Sequence, residues 1–99
     1  MKYLSRLNRY LKNANNACYS IEYKANVAHL CGLAYEFQYE CLYNKAFDGK
    51  DGHGQDLAIE LRDACLAALN KSIWELSGQD QAVTNKANKL AYWLRAVNA

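Results

Sequence analysis

Four cysteines, two histidines and a band of acids around a glycine-rich segment are the residues of this 99-residue chain whose chemistry could reach beyond packing. Zinc requires four converging thiolate or imidazole donors, usually in pairs two to four residues apart. Cys18, Cys31, Cys41 and Cys65 form no such pair, and His53 sits in the glycine-rich segment. His29 and Cys31 point about 200° apart on a helix that turns about 100° per residue. Calcium loops place acids at positions 1, 3 and 5, Gly at 6 and a bidentate Glu at 12. With Gly54 and Glu60 set at the last two of these, Gly49, Asp51 and His53 fill the first three, so the leading carboxylate is missing. A nucleophilic thiol needs a neighbouring imidazole and a lowered pKa, and these spacings give neither. Glu36 and Glu40 lie one turn apart, as on a wetted helix face. No glycine-rich phosphate loop, Gly-x-Ser-x-Gly elbow or His-Glu-x-x-His helix occurs. These residues predict no catalytic site, no metal and no cofactor, and the expected protein is not an enzyme.

Residues suited to binding are more plentiful. Arg6 and Arg9 share one side of the first segment with Tyr3 and Tyr10 nearby, and Lys86, Lys89 and Trp93 follow at spacings of three and four outside the core row of the last segment. Lys and Arg neutralise phosphates and exposed aromatics stack on bases, so these two groups are a candidate nucleic-acid surface. The charge is segregated: residues 1–21 carry four basic residues and no acid, residues 22–63 eight acids against four bases, and residues 64–99 four bases against two acids. An acidic middle repels a polyanion, and the pI of about 8.3 falls short of the value above 9 that a nucleic-acid-binding domain usually shows. Eight Tyr and two Trp exceed what a small core needs. Tyr39 and Tyr43, one turn apart, and Trp74 and Trp93 are the expected aromatic anchors of a protein interface.

These residues must be held by helices. Proline is absent, and the five glycines punctuate the chain at only two places. A 4-3 apolar spacing runs through Leu4, Leu7, Leu11, Ala14, Cys18, Ile21, Ala25, Ala28, Gly32, Tyr35, Tyr39, Leu42 and Ala46, a period of about 3.5 that makes one straight helix drift by about 20° per heptad. Asn13, Asn15 and Asn16 supply the natural break, since Asn competes for backbone hydrogen bonds and suits helix caps. The expected helices are about 2–13, 16–47, 55–77 and 80–97, with 48–54 a glycine-rich loop and a continuous first helix the alternative. Helix 2 carries a second apolar row, Tyr23, Val27, Leu30, Ala34, Phe37 and Cys41, so its two rows call for two partners, either other helices or a second copy of the chain. Its third stripe, from Glu22 through His29 to Asn44, is expected to face water. Helix 4 presents Val83, Ala87, Leu90, Leu94 and Val97 as its core row.

At 11.2 kDa and 52% hydrophobic, the chain predicts one domain over 1–99, an all-α bundle of three to four helices with one long central helix. No window approaches 18 consecutive apolar residues and no apolar leader opens the sequence, so the expectation is a cytoplasmic protein with reduced, buried thiols and no membrane contact. In size, all-helical pattern and lack of catalytic motifs it resembles the small inhibitors encoded by phages and mobile elements, such as anti-CRISPR proteins. That resemblance implies a non-enzymatic module that docks on a larger host nucleic-acid-processing complex, through Arg6, Arg9, Tyr39, Tyr43, Trp74, Lys86, Lys89 and Trp93. The alternatives are a small DNA- or RNA-binding protein using helices 1 and 4, and a structural homodimer through helix 2.

Overall fold

A computed structural model describes residues 2–43, 53–72 and 81–98. Of these, 91% are helical, and no strand occurs among them. The helices are α1 (Lys2–Asn15), α2 (Ser20–Tyr43), α3 (His53–Leu69) and α4 (Gln81–Asn98). The first break falls where the asparagines accumulate. The Asn16 N–H closes on the Lys12 carbonyl at 3.0 Å and the Ala17 N–H on the Ala14 carbonyl at 3.2 Å, a tightened last turn. Helix α2 then opens with Glu22 in its first turn, where the helix dipole favours an acid. The chain is therefore not one continuous helix here. Helix α3 begins two residues before the expected Gln55 and ends at Leu69, with Asn70 and Lys71 in the closing turn; Asn70, Lys71 and Ser72 offer the backbone no strong helix former except Lys71. The stretch 73–77 that the sequence assigns to this helix, the loop positions 48–52 and Trp74 lie outside the described residues.

Consecutive helices pack on one another and α4 returns to α1, so the four form a closed antiparallel ring. Interhelical contacts fix the directions: Arg6 and Tyr10 of α1 meet Glu36 and His29 of α2, while Gly54 and Glu60 of α3 meet Trp93 and Lys86 of α4. The core follows a shared spacing. Positions 3, 7, 11 and 14 of α1 and 57, 61, 65 and 68 of α3 are buried, as are 23, 27, 30, 31, 33 and 34 of α2 and the matching 83, 87, 90, 91, 93 and 94 of α4. Leu7, Val27, Leu30, Phe37, Leu61, Leu90 and Leu94 are its largest fully enclosed side chains. No buried polar side-chain atom among the described residues lacks a hydrogen-bond partner.

Two sequence expectations change at this level. Trp93, expected at a partner surface, is 6% exposed. Its indole meets the Phe37 ring edge-on at 6.0 Å, and lies so close to Gly54 that an added Cβ there would come within 2.4 Å of the ring. The buried face of α4 is a band rather than a single row, and residue 93 falls inside it because the glycine opposite leaves room. Cys65 and Cys31 are buried as expected, but Cys18 is exposed and Cys41 partly so. Cys18 lies in the α1–α2 connection, beyond the last core position of α1.

Candidate docking surface

Of the two apolar rows of α2, the chain covers one. Tyr23, Val27, Leu30, Ala34 and Phe37 are buried, whereas every position of the other row from Ile21 to Leu42 is exposed. The buried row holds its bulk at the middle of the helix in Val27, Leu30 and Phe37, where the outer row has Ala25, Ala28 and Gly32, and buried apolar volume favours the former. This outward seam keeps the 4-3 spacing over about 32 Å of helix at 1.5 Å per residue. Ile21 is 70% exposed, Tyr35 49%, Tyr39 57% and Leu42 53%. Between them lie Ala25, Ala28 and Gly32, and nothing stands within 4 Å of where a Gly32 Cβ would be.

Ordered polar groups border the seam on both sides. Towards α3, the Arg62 guanidinium sits 5.5 Å from the centre of the Tyr35 ring, donates to Gln38 Oε1 at 3.2 Å and pairs with Asp63 at 3.0 Å. Leu66, one turn further along α3, is exposed as well. Towards α1, the stripe expected to face water runs along the helix boundary, with Glu22 and His29 exposed and Asn26, Glu36 and Glu40 half-buried. His29 stacks on Tyr10 with ring centres 5.0 Å apart, Arg6 pairs with Glu36 at 3.0 Å, and Leu33 is buried. Arg9 and Arg6, both bonded to the Tyr10 hydroxyl, lower its pKa. Burial, then the bond its hydroxyl donates to Glu40, pushes the Tyr3 phenol up. An apolar strip inside a polar rim is the composition of a protein interface.

The charge segregation seen along the chain becomes two faces. Lys2, Arg6, Arg9 and Lys12 on α1 and Lys86, Lys89 and Arg95 on α4 stand without a single acid on either helix, whereas acids outnumber bases on α2 and α3. Since α1 and α4 are neighbours, joined by Thr84 and Asn15 at 3.3 Å, the described basic side chains from Arg6 to Arg95 on these two helices share one side of the bundle, and the described acids lie on the other two helices. Arg6 and Lys86 point back across the boundary, onto Glu36 and onto Glu60 at 2.6 Å. Arg9, Lys12, Lys89 and Arg95 remain outward, with Asn8, Asn85 and Asn88 around them and Tyr92 74% exposed.

The sequence-selected residues thus separate. Tyr39 lies on the seam, Arg9 and Lys89 on the basic face, Arg6 and Lys86 in interhelical ion pairs and Trp93 in the core. Tyr43 ends α2 with its side chain outside the described residues, as Trp74 is altogether. Ile21, Tyr35 and Tyr92 were not selected. The seam was readable as one of two equal rows, and its content of Ala25, Ala28 and Gly32 was the signal that it packs least tightly. Tyr92 carried no such signal.

The class defined is an antiparallel four-helix bundle with an apolar seam on one helix and a basic face across the ring. No protein-family model, curated protein or solved structure matches the chain. Among the described residues, no cluster of three or more His, Cys, Asp or Glu could hold a metal ion, and no helix is long and apolar enough to cross a membrane.

Proposed function

We propose that this protein is a non-catalytic binding module whose docking surface is the outward seam of α2. The carrying observation is the exposure of Ile21, Tyr35, Tyr39 and Leu42 on one heptad-spaced row, an arrangement that costs solvation free energy unless another protein covers it. The seam fits an apolar helix laid along it. The likeness in size and pattern to small phage-encoded inhibitors points to a host nucleic-acid-processing complex as the target, and the basic face is suited to steering the module towards such an assembly.

A second reading is favoured by the acid-free surface of α1 and α4: direct contact with a nucleic-acid backbone. The six acids of α2 and α3 weigh less against it, because they sit on the other two helices. One experiment separates the two. Tagged protein is used to recover complexes from host lysate with and without nuclease, beside an Ile21→Glu/Tyr39→Glu variant and an Arg9→Glu/Lys89→Glu variant. The docking reading expects a stoichiometric, nuclease-resistant complex that the first variant loses, by about 2 kcal/mol or more for an aromatic anchor, and the second keeps. Recovery that is nuclease-sensitive and lost with the second variant instead supports the backbone reading.

A further inference from the structure

We infer that the α2 seam closes on a second copy of itself, as an antiparallel pair about a two-fold axis at Gly32. This rests on the reading of the seam as a protein-docking surface and names a second copy as what covers it while no host protein does. The argument is one of shape. A period of about 3.5 is the spacing at which two helices keep contact along their length. The seam is small in its first half and large in its second: Ala25, Ala28 and Gly32, then Tyr35, Tyr39 and Leu42. A parallel pair sets each residue against itself, so the tyrosines collide at one end and the alanines leave a void at the other. An antiparallel pair centred on Gly32 places Tyr39 on the partner's Ala25, Tyr35 on the partner's Ala28 and Ile21 on the partner's Leu42. Tyrosine then meets alanine in the layers on either side of the axis, Ile21 and Leu42 close each end, and Gly32 meets the partner's Gly32 where the backbones approach most closely.

The borders fit the same register. On the α1 side the row through Glu22, His29 and Glu36 brings the His29 imidazole opposite the partner's Glu36 carboxylate. On the α3 side, Arg62 lies at the level of Tyr35 and Gln38, so Leu66 one turn on falls level with Gly32 and widens the apolar strip at the axis. At about 200 Å² for a whole large apolar side chain, the exposed fractions of Ile21, Tyr35, Tyr39, Leu42 and Leu66 leave roughly 500 Å² uncovered per copy. A standard interface buries about 800 Å² per partner. The pairing is therefore weak, with a Kd on the order of 10–100 μM.

Sedimentation equilibrium of the full chain from about 1 μM to about 1 mM tests this. The expected result is a reversible monomer–dimer equilibrium in that range, weakened at least tenfold by Gly32→Arg. The substitution sets two like charges at the axis, yet its Cβ meets nothing within 4 Å in the monomer and Arg has the higher helix propensity, so the variant is expected to melt at or above the wild-type temperature. Tyr39→Glu weakens the dimer, and adding Ala25→Lys restores it, because position 25 faces the partner's position 39. A wild-type chain monomeric throughout, a Gly32→Arg chain that pairs as the wild type does, or an Ala25→Lys addition that weakens pairing further overturns the inference. A monomeric chain whose Ile21→Glu/Tyr39→Glu variant still loses its nuclease-resistant complex overturns the second copy alone; if that variant keeps every complex, the docking reading falls too.

Discussion

Gly54 and Trp93 show how a single side chain decides where a large aromatic goes. The indole lies over the second residue of α3, and a methyl group there would meet three of its ring atoms at 2.4–2.7 Å. The ring is held edge-on by Phe37, which in turn takes the edge of Tyr3 at 5.4 Å, so it cannot withdraw without disturbing both. Gly54→Ala is expected to destabilise the fold by about 1–3 kcal/mol, the range for overpacking a filled core, although Ala is the better helix former. Equilibrium urea denaturation measures this; an unchanged or raised midpoint contradicts the packing described. The same pair explains why Trp93 could not be placed from sequence. Helical spacing puts it beside the core row rather than in it, and only the absence of a side chain on a different helix, 39 positions earlier, turns that border into an interior.

Among the elements, α4 was the most legible and α2 the least. Val83, Ala87, Leu90 and Leu94 of its expected row are buried and Val97, the fifth, is partly so, with Ala91 and Trp93 widening the row into a band. Helix α2 carries two apolar rows of like strength, so periodicity established that it is a helix without deciding which side faces in. The decision came from volume: Val27, Leu30 and Phe37 fill a ring interior that Ala25, Ala28 and Gly32 would leave hollow. The break after α1 was legible from its asparagines, though α1 ends two residues later than expected and α2 starts four later, at Ser20. Interhelical ion pairs were not, because no spacing within one helix relates Glu60 to Lys86. Lys86 holds the Glu60 carboxyl below its ordinary value, chiefly by a hydrogen bond. A lowered carboxyl pKa means that the folded chain binds fewer protons than the unfolded one. The stabilisation is complete above the ordinary carboxylate value of about 4.3 and is lost as pH falls through the lowered folded value. Thermal melts across pH 2–7 are expected to show a shallower acid limb for Glu60→Gln than for the wild type, with the difference confined to pH below about 5. Parallel limbs count against the pair.

For the whole molecule, the ring order converts a charge pattern along the chain into a charge pattern in space. Counting by segment gave the signs correctly, but the inference that an acidic middle repels an anion assumed that the middle lies between the ends. Its six acids on α2 and α3 lie behind them, because α1 and α4 are adjacent. With Arg9, Lys12, Lys89 and Arg95 outward, the backbone-binding reading expects the affinity for duplex DNA to fall by about a hundredfold between 50 and 200 mM salt, a slope near −3.6 for about four phosphates neutralised. Fluorescence anisotropy measures it. Arg9→Gln and Lys89→Gln are each expected to reduce the slope by about one, and no binding at 50 mM salt removes the reading.

The ring also orders events in time. Among the described residues, three of the four packed boundaries join helices that follow one another in the chain, and only four residues, 16–19, connect α1 with α2. Only the boundary of α1 with α4 links distant positions, Asn15 with Thr84, 69 residues apart. Local pairings close small loops at little entropic cost, and a topology dominated by them reaches its native state rapidly. The α1–α2 hairpin, which carries the seam, is thus expected to form before the basic face, which needs α4 packed against α1.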